Sequence, residues 1–161
     1  MRHLLFLALG CSLAMGCGGG GDVTPDADDL APYNCAAEAR ADTFSLGLEK
    51  PGVNGRVNFK LLTANPAPPA RGDNDWVIEV DSTGASAAPM PGIGSDLKVV
   101  PYMPDHQHGT PVKIHITETG TQGQYDLSPV NLWMPGLWQT TISIDANGVK
   151  DSAVFAFCLS T

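Results

Sequence analysis

Short runs of alternating apolar and polar residues, each cut off by proline or glycine, commit most of this chain to β-strands. Val57, Phe59 and Leu61 alternate with Asn58 and Lys60, and Trp76, Ile78 and Val80 with Val77, Glu79 and Asp81. Val112, Ile114 and Ile116 alternate with Lys113, His115 and Thr117, which leaves His115 on the wet face. Trp138, Thr140, Ile142 and Ile144 form the clearest strand, and Asn147-Gly148 then signals a two-residue hairpin into a strand carrying Phe155 and Phe157. Phe44, Leu46 and Leu48 predict a further strand, Leu97 to Tyr102 another, and Tyr125 to Leu132 one interrupted at Pro129. Glu38 to Asp42 has room for one helical turn, and no later stretch keeps a 3.6-residue period. About seven or eight strands at a spacing of roughly 8–12 residues predict an all-β sandwich or barrel with a single core.

The first residues belong to a different kind of segment. A basic start, Met1-Arg2-His3, precedes an apolar run from Leu4 to Leu13. That run is shorter than the roughly 20 residues a spanning helix needs, so it reads as a removable secretory signal over residues 1–16. Leu13-Ala14-Met15-Gly16-Cys17 resembles a bacterial lipobox, in which the Cys17 thiol is acylated and becomes the new N-terminus. No aspartate follows Cys17, and by analogy with lipoprotein sorting Gly18 favours the outer membrane. Residues 17–34 then read as a Gly/Asp/Pro tether with too little apolar surface to fold, and residues 35–161 as the folded domain.

Removing Arg2 with the signal takes the formal charge from -8 to -9. An acidic chain without clustered bases has no electrostatic footprint for nucleic acid. The expected partners are the membrane, through the lipid anchor, and an envelope protein. Of the four cysteines, Cys11 leaves with the signal and Cys17 carries lipid. Cys35 and Cys158 remain, one near each end of the domain and in an oxidising compartment, which predicts a disulfide between them.

Chemistry concentrates in Tyr102-Met103-Pro104-Asp105-His106-Gln107-His108-Gly109 and in a second turn, Met134-Pro135-Gly136. Thioether and imidazole together are soft to borderline donors, a mixture that favours Cu(I). In extended chain His106 and His108 share a side and can face one ion, and a sandwich gathers its turns at two ends. The candidate metal ligands are therefore His106, His108, Met103 and Met134. The alternative stays open that both methionines plug the end of the core, that both histidines are surface residues, and that the turns are turns only. Trp138 reads as core. Trp133 reads as a residue buried under the Met/His loop, with lining of the site as the second choice.

Met103-Pro104-Asp105-His106-Gln107-His108-Gly109, Gly123-Gln124-Tyr125, Met134-Pro135-Gly136-Leu137-Trp138 and Ala153-Val154-Phe155-Ala156-Phe157 occur in the order seen in YtkA-like, FixH-related domains. The chain resembles that family from about Val53 to Leu159, departing from the common His-Gly-His or Met-Gly-His forms in having Gln107 between the imidazoles. The resemblance implies an immunoglobulin-like β-sandwich, an extracytoplasmic location and an association with copper handling. It implies no reaction.

Nothing points to an enzyme. There is no Gly-x-Ser-x-Gly, no His-Glu-x-x-His and no phosphate-cradling glycine loop. Asp73-Asn74-Asp75 opens like a calcium loop, but Val77 takes the next ligand position and no glutamate closes it. The two functions left in competition are a metal-capturing envelope lipoprotein and a non-metal interaction module.

Overall fold

The computed structural model describes residues 33–160, so the signal, the lipobox Cys17 and most of the tether lie outside the described residues. The described chain forms nine strands: β1 (Leu48–Pro51), β2 (Val57–Asn65), β3 (Gly72–Ser82), β4 (Leu97–Met103), β5 (His108–Gly109), β6 (His115–Glu118), β7 (Gln124–Leu132), β8 (Gly136–Ala146) and β9 (Val149–Leu159). They make two antiparallel sheets, one ordered β1-β2-β3-β7-β6 and the other β5-β4-β8-β9. With β1 set aside, these are the A-B-E-D and C′-C-F-G orders of an immunoglobulin-type sandwich.

Alternation explains which face each strand buries. Val57, Phe59 and Leu61 of β2, Trp76, Ile78 and Val80 of β3, and Trp138, Ile142 and Ile144 of β8 all point inward. Trp76 meets Phe157 of the opposite sheet edge-on at 5.6 Å, and Phe44 meets the same ring at 5.8 Å. Asn147 and Gly148 both have positive φ, 52° and 76°, and Ala146 pairs with Val149 across them. That is the two-residue hairpin turn the sequence calls for.

Four expectations need correcting. The first strand begins at Leu48, because Phe44 packs onto the core from outside any ladder and Leu46 is exposed. The helical turn expected over Glu38 to Asp42 sits earlier, at Cys35–Ala37, as a 3-10 turn, and a second 3-10 turn lies at Gly94–Asp96. Pro129 does not interrupt β7, since the register shift between Asn74 and Trp76 of β3 absorbs it in a bulge. The strand count rises to nine because β5 is only two residues long, too short to leave an alternating pattern.

The expected disulfide is present. Cys35 and Cys158 are joined with their Cα atoms 5.5 Å apart across a sequence separation of 123. Just before Cys35, the Tyr33 N–H donates to Ser160 O at 3.0 Å, and further on the Asp42 N–H donates to Ala156 O at 2.7 Å. Tyr33 to Asp42 thus forms a strap laid along β9 and across one end of the sandwich.

Asp151 is a buried carboxylate in β9 to which no role attaches from motif reading. Its oxygens accept N–H bonds from Asn54 (2.8 Å), Arg56 (2.8 Å), Val57 (3.1 Å) and Ser152 (2.9 Å). It gathers the turn between β1 and β2 onto β9. Gly52 in that turn must be glycine, because a Cβ there would lie 2.1 Å from the Asp151 carboxyl carbon.

Candidate metal-binding rim

One end of the sandwich collects every residue singled out as a possible ligand. β4 ends at Met103, four residues turn, and β5 starts at His108, so Met103 and His108 are direct cross-strand partners. Cross-strand partners project to the same face, which places the thioether and the imidazole side by side. Gln107 makes the turn possible: its φ is 56°, and its N–H donates to Met103 O at 2.8 Å.

The His106 and His108 ring centroids are 5.7 Å apart and inclined by 53°. A metal–nitrogen bond of about 2 Å puts an ion roughly 3 Å from each ring centroid, so 5.7 Å lies within the reach of one shared ion. The Nδ1 of His108 is 3.1 Å from Gly109 O. A carbonyl only accepts, so this contact requires a proton on Nδ1 and leaves Nε2 of the neutral ring with its lone pair free.

The second turn closes on the first. Trp133 stacks on His108 at 5.2 Å and 22°, and Trp138 stands edge-on to the same imidazole at 6.3 Å. Trp138 is core as expected, its indole N–H donating to Met134 O at 2.9 Å. Trp133 corrects the sequence reading. It is 40 % exposed and lies against the histidine instead of beneath the loop, held by Arg71 Nε donating to its carbonyl at 2.8 Å. Gly136 touches Met103, since a Cβ on it would lie 2.7 Å from Met103 Cε and 3.7 Å from the Tyr33 ring.

The four candidate donors therefore run in depth from core to solvent. Met103 is fully buried and Met134 nearly so, whereas His108 is half-buried and His106 exposed. Among the described residues no three His, Cys, Asp or Glu side chains gather as a ligand set, so a site at this rim has to use thioethers beside its two imidazoles. The ring spacing suits one soft ion shared by the two imidazoles, while both methionines belong to the buried core cluster behind them. His115, by contrast, is exposed on β6 and makes no contact with the pair. Asn74, from the calcium-like run, is wholly buried, its amide bonded to Ala70, Gly72 and Val130.

The strap supplies the charged part of the rim, which motif reading missed. Arg40 forks onto Asp105 of the Met/His turn, Nη1 to Oδ1 at 2.8 Å and Nη2 to Oδ2 at 2.7 Å. The same guanidinium forks onto Glu38 through Nε and Nη2 at 2.8 and 2.6 Å. Tyr33 Oη stands 3.2 Å from both carboxylates. Arg40 holds the Glu38 carboxyl down to about 2 and lowers that of Asp105, while burial and the two acids raise the Tyr33 phenol. The only sequence signal for this was the spacing of an acid and a base at Glu38 and Arg40 next to a cysteine, which does not specify a distant partner.

A family model described as YtkA-like matches residues 55–143, more than half of the chain. The chain belongs to the YtkA-like family. The Met103-Pro104 and Met134-Pro135 turns of this YtkA-like chain, with His106 and His108, fall inside the match, which is shorter than the Val53–Leu159 span of motif resemblance. Cys35, Arg40, Cys158 and the whole of β9 fall outside it. No curated protein and no solved structure matches the chain. Membership makes this an extracytoplasmic protein of the cell envelope, and the Cys35–Cys158 bridge suits such a compartment. No helix among the described residues is long and apolar enough to cross a membrane.

Proposed function

We propose that this YtkA-like protein is an envelope lipoprotein, anchored by acylated Cys17 with the outer membrane favoured, whose rim captures and passes on a soft metal ion, copper(I) above others. The observation that carries the reading is the pairing of Met103 with His108 across a two-residue strand, with His106 5.7 Å from His108 on the same turn. His106 and His108 are the primary ligands, and Met103 and Met134 stand behind them as thioether donors from the core side. Imidazoles at the surface and sulfurs below suit stepwise ligand exchange, and the role is binding and transfer without turnover.

The test is titration of the purified domain with Cu(I) against a competing chelator. Replacing both histidines, His106→Ala with His108→Ala, is expected to weaken binding by 100-fold or more while the unfolding temperature stays within a few degrees. An affinity unchanged by the double replacement would remove the site.

A second reading, peptide docking, is favoured by one observation. β4 pairs with β5 only at Tyr102 and Met103, which leaves the edge from Leu97 to Pro101 open beside an apolar groove of about 460 Å³. Val99, Val112 and Ile114 line the groove, Lys98 and Lys113 flank it, and no acid lines it, which suits an acidic extended segment of another envelope protein. A synthetic peptide of residues 22–32, rich in aspartate, serves as the probe. Its addition should shift the Val99 amide resonance in the wild type and not in a Lys98→Glu, Lys113→Glu variant. Shifts indifferent to that charge reversal would set docking aside.

A further inference from the structure

We infer that the strap Tyr33–Asp42 is a clamp on the Met/His turn, and that Arg40 is the positioning residue which fixes how His106 and His108 are presented. The inference deepens the metal-binding reading and rests on it for its functional meaning, but not for its structural content.

The turn itself has few restraints. Between Met103 and His108 the chain makes one backbone bond, from Gln107 N to Met103 O, and Gln107 sits in a left-handed conformation that a residue with a side chain adopts reluctantly. β5 adds only two paired residues. Such a turn is able to swing as a unit about Met103 and His108 unless something outside it takes hold. Asp105 is where it is held, one residue before His106, with both carboxylate oxygens engaged by Arg40. A two-point fork fixes orientation as well as distance, which a lysine ammonium cannot do.

The strap is firm enough to act as the fixed side of this contact. It is anchored on β9 by Tyr33 N to Ser160 O, by the Cys35–Cys158 bridge, and by Asp42, whose N–H bonds Ala156 O while its Oδ2 accepts the Ala156 N–H at 2.8 Å. Arg40 is in turn oriented by its second fork onto Glu38, whose side chain is only 6 % exposed. The Tyr33 ring also lies over Gly136, the residue that covers Met103. A single ten-residue segment therefore holds the turn bearing the imidazoles and closes over the buried thioether. It lies wholly outside the part of the chain that matches the family, whereas Asp105 lies within it.

The consequence is measurable without metal. In an Arg40→Ala variant, exchange of the Gln107 amide is expected to speed up by at least 10-fold, with core amides of β3 and β8 unchanged. Asp105→Asn should give the same result, and the double variant no more than either alone. Arg40→Lys should not rescue, because an ammonium cannot reproduce the fork. Unchanged Gln107 exchange in Arg40→Ala would overturn the clamp. In wild-type protein that binds Cu(I), Arg40→Ala should further weaken affinity by 10- to 100-fold, the range typical of residues behind a metal ligand, and an unchanged affinity would overturn its positioning role. If wild-type protein binds no Cu(I), the functional reading fails and amide exchange alone decides the clamp.

Discussion

A variant with serine at both Cys35 and Cys158 is expected to lose about 5 kcal/mol of unfolding free energy, the value the chain-entropy model gives for a loop this long. The bridge closes a loop of sequence separation 123, nearly the whole described domain. Domains of this size keep only about 5–15 kcal/mol in all, so the variant should stand near its folding threshold at neutral pH. Urea unfolding monitored by tryptophan fluorescence checks it. The midpoint should fall and the slope rise, because the chain without its cross-link unfolds to a more open state. A loss below about 1 kcal/mol would mean that the reduced, unfolded chain already keeps its ends together.

The second large effect belongs to Asp151. Asp151→Asn is expected to cost about 3–5 kcal/mol, because an amide presents one acceptor oxygen and one donor nitrogen to four N–H groups that all need acceptors. Gly52→Ala should produce a comparable loss by the opposite route, driving a methyl group into the same carboxylate. The pH dependence has a definite sign. Burial pushes the Asp151 carboxyl up, but the backbone donors outweigh it and hold the folded-state value below the ordinary one. A carboxyl whose pKa is depressed by folding stabilises fully above its unfolded pKa of about 3.9 and loses that contribution as the pH falls toward its folded value. The gap in stability between wild type and Asp151→Asn should therefore be greatest near neutrality and narrow below about pH 4. Chemical denaturation at several pH values measures this, and a gap that widens in acid would refute it.

What was legible in the sequence was whatever repeats with the period of a strand or rests on one residue's conformation. β2, β3 and β8 follow from alternation, the β8–β9 hairpin from Asn147-Gly148, and the bridge from two cysteines left in an oxidising compartment. Three kinds of feature escaped. β5 is two residues long and exists because β4 is there to pair with it, so no window of sequence contains its cause. Asp151 belongs to no motif, and only its phase with Ala153, Phe155 and Phe157 marks it as inward-facing. The Arg40 clamp joins residues 65 apart, a relation that local pattern cannot carry. At the rim, spacing puts His106 and His108 on one side only in extended chain, whereas the segment is a turn with Gln107 at φ 56°, and the 5.7 Å between the rings comes from that turn; the depth of Met103 and the exposure of Trp133 depend on how two turns from different hairpins meet.

The course of the strap also bears on how far the molecule reaches. The Tyr33 side chain touches Asp105, so the described chain starts at the same end of the sandwich as the histidines. Fifteen residues lie between Cys17 and Tyr33, and chain of that length stretches to at most roughly 55 Å. On the acylation proposed above, that reach would leash the imidazole-bearing end to within about the same radius of the bilayer, while a flexible tether leaves its facing free.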